Sequence, residues 1–393
     1  MTNQAEETYK IGKKYFDQKN YAEAEINFKK VLELDEDHFY SNYYLSRLYQ
    51  DQKKYPEAEQ YFKKTLQLNP NDIYALYNLG NIFFIQKRYA DAEAQYKKAI
   101  EVDEKYIYAV HALGRSYLEL KKFIEAENQF NKVIELDKEY IDARYYLGIL
   151  YYRQRDFAKA ESWFTEVIQL KPEYKSVSYY LGRVYFFQKN FMDAEYQLSK
   201  AVAQNRKDSE SNFFLGIVYI SQVKDPSTAA VDSYREANIG NSSNAIKCLN
   251  EVIAINPKHK EALCFLGFAY TILYSYEKSK NLADNAMNCA EKALEIDPNF
   301  SLAWGLKGTT FMALGKKLEA IECVIKSKDD EAIEKFLKVS YSSNYSRIEP
   351  KWHAYKSGTT QRKSFISSIT EDAAKGFAKE FAKGILKGFL GLI

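Results

Sequence analysis

Four histidines, His38, His111, His259 and His353, stand too far apart in the chain to suggest a metal cluster or an evident general base. The cysteines Cys248, Cys264, Cys289 and Cys323 fall in the last third, with no pair at metal-ligand spacing. They read as buried free thiols in a reducing compartment. No Gly-rich phosphate loop, GxSxG elbow or HExxH motif is present, so neither an enzyme nor a bound metal or cofactor is expected. Carboxylates abound, as in Glu33-Leu34-Asp35-Glu36, in settings that suit solvated helix faces and loops. What remains is the chemistry of non-covalent recognition. Rings recur 34 residues apart as Tyr9, Tyr43, Tyr77, His111, Tyr145, Tyr179 and Phe213. One helical turn after each stand Lys13, Arg47, Asn81, Arg115, Ile149, Arg183 and Ile217. Tyr43 with Arg47, and Tyr179 with Arg183, are i, i+4 neighbours, a spacing at which a guanidinium can stack on a ring. Tyr40, Tyr74 and Tyr108 add a second ring in three consecutive units.

A strict repeat carries these rings. Small residues recur as Gly12, Ser46, Gly80, Gly114, Gly148, Gly182 and Gly216, each 34 apart, with Tyr15, Tyr49, Phe83, Tyr117, Tyr151, Tyr185 and Tyr219 in phase. Further on come Ala24, Ala58, Ala92, Ala126, Ala160 and Ala194, then Phe28, Phe62, Tyr96, Phe130, Phe164 and Leu198. In YALYNLGNIFF, Leu76, Leu79 and Phe83 share one helical face; QKRY turns the chain; AEAQYKKAIEV sets Ala92, Tyr96 and Ala99 on a facing stripe. Gly80 and Ala92 are small because the two antiparallel helices approach there, and overpacking would cost roughly 1–3 kcal/mol. Asn69-Pro70-Asn71-Asp72 and Lys171-Pro172-Glu173 stop the second helix. One such hairpin leaves an apolar face bare and needs a stacked neighbour.

The pattern resembles the tetratricopeptide repeat family, in which Leu-Gly and Tyr of a first helix are joined to Ala, an aromatic residue, Ala and Pro of a second. The resemblance implies an all-α fold, an α-α superhelical solenoid of helical hairpins. Nine repeats are counted over residues 5–334: six regular ones in 5–208, and three in 209–334 with insertions at about 222–243 and 274–285. Repeat seven opens normally with Phe213, Phe214, Leu215, Gly216 and Tyr219, but Ala245 comes 17 residues late in the Ala24 position. Its insert holds Asp225-Pro226-Ser227 and Gly240-Asn241-Ser242, with a short helix expected between them. Repeat eight has extra residues that lengthen its helices, and repeat nine is weaker, with Lys307 where Leu is expected.

In this family the first helix of each unit lines the concave groove. Carried over, that places Tyr9, Tyr43, Tyr77, His111, Tyr145, Tyr179 and Phe213 toward a groove, with Arg47, Asn81, Arg115 and Arg183 beside them. The implied function is a non-catalytic protein–protein interaction scaffold that binds a peptide or helix, acidic in character, in an aromatic and weakly basic groove. Tyrosine suits this task because it presents a large rigid face with a hydrogen-bonding tip. The alternative is that the rings pack between adjacent first helices and belong partly to the core. Some family members grip the terminal carboxylate of chaperones with a clamp of Lys, Asn and Arg. Here the first clamp place is aromatic in nearly every unit, and only Asn78 and Asn81 echo the pattern. An Asn ladder like that of the N-acetylglucosamine transferase is absent apart from Asn78, and no catalytic domain follows.

Net charge is only +3 but unevenly placed: residues 335–393 hold 11 Lys/Arg against 4 Asp/Glu. That argues against a nucleic-acid binder, and no small-molecule substrate is expected. The N-terminal MTNQAEETYK lacks the marks of a secretory signal, and no apolar run of about 18 residues could span a bilayer. The expected location is cytoplasmic, with membrane association as the alternative. Residues 335–364 read as a cap or linker, and 365–393 as a basic amphipathic helix opened by a capping box of Ser368 and Glu371. Lys375, Lys379, Lys383 and Lys387 follow one stripe of it, and Phe377, Phe381, Ile385 and Phe389 another. Three uses stay open: capping the last repeat, lying on an anionic membrane surface, or docking in a groove.

Overall fold

The computed structural model describes residues 3–174, 176–224 and 231–326, with His353, Ala354 and Ser357 beyond them. The proposed linker falls almost wholly outside the described residues. So do Lys375, Phe377, Lys379, Phe381, Lys383, Ile385, Lys387 and Phe389 of the C-terminal segment. The described residues form helices alone, paired as consecutive hairpins, in two compact units, Met1–Val177 and Ser178–Ile393.

In the first unit five hairpins follow the repeat: α1 (Asn3–Asp17) with α2 (Tyr21–Leu34), α3 (Phe39–Asp51) with α4 (Tyr55–Leu68), α5 (Ile73–Ile85) with α6 (Tyr89–Val102), α7 (Ile107–Glu119) with α8 (Phe123–Leu136), and α9 (Ile141–Arg153) with α10 (Phe157–Leu170). The small residue of each first helix faces the aromatic residue of the second. A Cβ added to Gly80 would come within 2.5 Å of Tyr96 Cε1, and one on Gly148 within 2.5 Å of Phe164 Cε1. Phe28, Phe62, Phe130 and Phe164, and Ala24, Ala58, Ala92, Ala126 and Ala160, are all fully buried. Close packing at the glycine crossings leaves no room for a side chain without a shift of the facing ring, and the second repeat holds the fully buried Ser46 in that place.

Two local devices set the connections. Between the helices of a hairpin the chain turns through a left-handed residue: Lys19, Lys53, Lys87, Lys121 and Arg155 have φ of 59, 61, 62, 58 and 62°. Between hairpins an Asp or Asn folds back on the backbone. Asp103 Oδ1 accepts from the Lys105 amide at 2.9 Å, and Asp35, Asn69 and Asp137 do the same two residues on. Asp72 then caps α5 by accepting from the Ala75 amide at 2.8 Å.

Carboxylates on the second helices tie repeats together. Glu59 accepts from Lys63 of its own helix at 2.7 Å and from Arg88 of the next repeat at 2.9 Å. Glu93 repeats this with Lys97 and Lys122, at 2.6 and 2.9 Å. Burial pushes the Glu59 carboxyl upward, but Lys63 and Arg88 outweigh it and its pKa is lowered. These glutamates are therefore bonded joints, where the sequence suggested a solvated face.

The second unit takes up α11 (Val177–Phe187) from its second residue, paired with α12 (Phe191–Gln204), then α13 (Ser209–Ser221) with α14 (Val231–Ile255), α15 (Lys260–Glu277) with α16 (Lys280–Ile296), and α17 (Ser301–Ala313) with α18 (Lys317–Lys326). One core runs through it from Phe186 to Leu306. Ala245 is fully buried, and Leu249 meets Gly216, where an added Cβ would lie 2.8 Å from Leu249 Cγ. Ala245 and Leu249 thus face the core, and the insert before them differs from the expected short separate helix. A single helix of 25 residues passes through Gly240-Asn241-Ser242. Ser242 donates to the Asn238 carbonyl at 2.8 Å, and Gly240 has open space around it, so neither residue interrupts the helix. In repeat eight the extra residues lengthen both helices, to 18 and 17 residues.

Candidate partner-binding face

The aromatic register of the first helices is built into the hairpins. Tyr9 lies 6.2 Å from Phe28, Tyr43 6.4 Å from Phe62, Tyr77 6.1 Å from Tyr96, His111 5.9 Å from Phe130 and Tyr145 6.1 Å from Phe164, between ring centroids. Each ring thus packs against the aromatic residue of its own second helix. Tyr9, Tyr43 and Tyr77 remain half-buried, whereas His111 and Tyr145 are buried. In the second unit Tyr179 is half-buried beside Phe214, and Phe213 is buried against His259 at 4.8 Å.

The cations of this register stack across repeats. The Arg47 guanidinium sits 5.7 Å from the centre of Phe16 in the preceding hairpin, not over Tyr43. Arg115 lies between Phe84 of the repeat before, at 4.6 Å, and Tyr146 of the repeat after, at 5.2 Å. Arg183 does sit over Tyr179, 5.2 Å from its centre, donates to its hydroxyl at 2.7 Å, and also covers Phe214 at 4.3 Å. Asn81 accepts from the buried Tyr96 hydroxyl at 2.8 Å. Burial pushes the Tyr43 phenol up, and neighbouring Arg47 partly offsets the rise.

The rings open to solvent are the second set. Tyr40, Tyr74 and Tyr108 are 55, 56 and 53% exposed, each in the second position of its first helix. A further set recurs one repeat apart, Tyr106, Tyr140 and Tyr174, each just before a first helix or close to its start; Tyr140 packs on His111 and Tyr174 on Tyr145. Tyr106 touches Tyr74, Tyr77 and Tyr108, with centroids 6.1, 5.6 and 5.7 Å apart. Burial and nearby Asp142 push the Tyr140 phenol up to about 12. The sequence reading passed over Tyr106, Tyr140 and Tyr174, although the spacing of 34 was there to find them. Between Tyr40 and Tyr74 lies a cleft of about 740 Å³ lined also by Asp37, Tyr43, Asn69 and Asp72.

Among the described residues no group of three His, Cys, Asp or Glu is placed to hold a metal ion, and no helix is long and apolar enough to cross a membrane. Cys264 and Cys289 are buried thiols, and burial raises the pKa of both.

Stacked helical hairpins with an aromatic face on their first helices define a repeat scaffold. Sequence models of the tetratricopeptide repeat match residues 9–38, 40–105, 72–139, 111–175, 151–212 and 266–300. The chain belongs to the tetratricopeptide repeat family, and its class is the protein-interaction scaffold. Among solved structures it is similar to a tetratricopeptide repeat protein of Parabacteroides merdae, with a TM-score of 0.53, 16% identity, and coverage of 68% of this chain and 98% of that one. PilF of Pseudomonas aeruginosa matches with a TM-score of 0.46 and 20% identity over 54% of this chain and 96% of its own. MamA of Desulfovibrio magneticus matches at 0.43 and 23%, over 45% and 99%. A search of curated proteins found no match.

Proposed function

We propose that the first helices of residues 3–174 form the face on which this scaffold binds an extended peptide or a helix of a partner protein. The observation that carries the reading is the row Tyr40, Tyr74 and Tyr108, more than half exposed at the same place in three consecutive repeats. Exposed tyrosines in register, with Tyr40 on Tyr9 and Tyr108 on Tyr77 and Tyr106, make an aromatic strip interrupted by the cleft between Tyr40 and Tyr74, where exposed apolar residues scattered singly would carry no such meaning. Tyr43, Tyr77, His111 and Tyr145 form the floor beneath it, and Arg47, Asn81 and Arg115 supply its weak basic character. Tyr9 borders the strip, and Tyr179, Arg183 and Phe213 are the equivalent residues of the second unit. The partner is a protein, and nothing in this reading calls for catalysis.

A photo-crosslinking residue placed at position 74 or 108 tests it in the cell of origin. Crosslinks to a partner are expected from these positions and not from position 124, where exposed Ile124 lies on a second helix. Equal crosslinking from position 124 contradicts the assignment.

The alternation of Lys375, Lys379, Lys383 and Lys387 with Phe377, Phe381, Ile385 and Phe389 supports a second reading, a peripheral adaptor held at an anionic membrane surface. Sedimentation with anionic vesicles should then require residues 365–393. Equal binding with and without them, or no binding by either form, removes this reading.

A further inference from the structure

We infer that the cleft between Tyr40 and Tyr74 receives a lysine or arginine side chain of the bound peptide. This rests on the partner-binding reading and adds the charge that its second and third repeats select. Tyr40 and Tyr74 stand at the cleft with more than half their surfaces exposed, and Tyr43 borders it, so aromatic faces are available to a cation. No basic side chain lines it. Its charged groups are Asp37 and Asp72. Asp37 is shared with Lys64 at 2.8 Å, an exposed pair with little hold on the carboxylate. Asp72 spends one oxygen, Oδ1, on the amide of Ala75, and among the described residues no cation lies within ion-pair distance of it. The nearby cation of the groove, Arg47, stacks on Phe16 and also bonds the Tyr43 phenol at the edge of the cleft, which leaves Asp72 as the carboxylate free to meet an incoming cation. Carboxylates beside open tyrosine faces complement an ammonium or guanidinium, and they repel the acidic side chain that the groove's arginines alone suggested.

The next interval along the strip differs. Between Tyr74 and Tyr108 the place of Asp72 is taken by Tyr106, which packs on Tyr74, Tyr77 and Tyr108. That stretch is aromatic where the first is acidic, so the bound segment carries a basic residue at one repeat and an apolar one at the next.

Peptides selected by display on the purified full-length chain, then synthesised and titrated by fluorescence anisotropy, test this. The selected sequences should contain a Lys or Arg, and replacing that Lys by acetyl-lysine should weaken binding about tenfold, the scale of a partly desolvated cation–π and carboxylate contact. Asp37→Asn with Asp72→Asn should remove most of that difference, while the amide side chain introduced at the start of α5 keeps its capping role. A consensus without a basic residue, an acetylation effect below about twofold, or a difference that survives both substitutions overturns the cationic cleft. The parent reading has its own control. If selected peptides bind Tyr74→Ala and Tyr108→Ala as tightly as the native chain, or if no peptide is selected, the partner-binding strip itself is refuted. Helical circular dichroism of those variants, compared with that of the native chain, is the control that separates a weakened site from a misfolded one.

Discussion

His111 holds, in the fourth repeat, the place that Tyr or Phe holds in the others, and its surroundings forbid its charge. It is 8% exposed, ringed by Phe130, Tyr140 and Tyr146, and its Nε2 has no hydrogen-bonding partner among the described residues. Burial first, and then neighbouring Arg115, depress its pKa to about 4. The ordinary value is about 6.5, so below that pH the unfolded segment takes up a proton that the folded one refuses. The stability is complete above pH 6.5 and is lost as pH falls toward 4, by roughly 2 kcal/mol at pH 5. Hydrogen exchange in α7 and α8, corrected for intrinsic rates, should show this loss in the native chain and much less in His111→Phe. An equal decline in both would place the pH dependence elsewhere. The ring at position 111 was legible from spacing alone, but its burial was not, because a period marks a register and says nothing of what covers it. The same limit hid the partners of Arg47 and Arg115. Counting i, i+4 searches a residue's own helix, and these guanidiniums stack on rings of neighbouring hairpins.

Among the elements, the turns hold most of what the repeat's apolar pattern left out. QKRY was recognisable as a turn, yet nothing in it announced that Lys87 adopts φ of 62°, where glycine is the usual occupant. Repeat nine does use glycine, Gly315 at φ 76°, in its own turn between α17 and α18. Lys87→Gly should therefore stabilise the α5–α6 hairpin by up to about 1 kcal/mol by relieving the Cβ clash, read as slower exchange in that hairpin; faster exchange would mean the lysine conformation carries no strain. The insert of repeat seven was legible as an insert because Ala245 and Leu249 keep the core phase. Its helical form was not, because Gly, Asn and Ser ordinarily favour turns and here tertiary partners override that preference. Asn238 is 1% exposed, pairs with both the amide and the carbonyl of Lys224 at 2.8 and 2.9 Å, and donates to the Tyr276 hydroxyl at 2.6 Å. Asn238→Ala leaves those groups without it, at a cost of roughly 1–3 kcal/mol. Limited proteolysis should then cut near Lys224 faster than in the native chain. Unchanged cleavage would show that α14 does not depend on this link.

At the scale of the molecule, a hairpin array transmits a disturbance only through the hairpins it touches. The first unit offers a place to see this, because its repeats are nearly identical in register. The joint between repeats three and four is a small apolar cluster of Leu76, Ala99 and Ala109, with Ile73, Tyr77 and Tyr106 packed against it. Ala92 lies fully buried in α6. Ala92→Trp overpacks that crossing at a cost of roughly 1–3 kcal/mol or more. Exchange should quicken most in α5 and α6, less in α4 and α7, and not at all in α1 and α10. Because α5 carries Tyr74 and Tyr77, peptide binding should weaken in the same variant while distant hairpins keep their protection. Loss of protection spread evenly over α1 to α10 would mean the unit unfolds as one cooperative body. In that case nearest-neighbour stacking would not describe its energetics, and the tyrosine strip could not be loosened at one repeat without dissolving the rest.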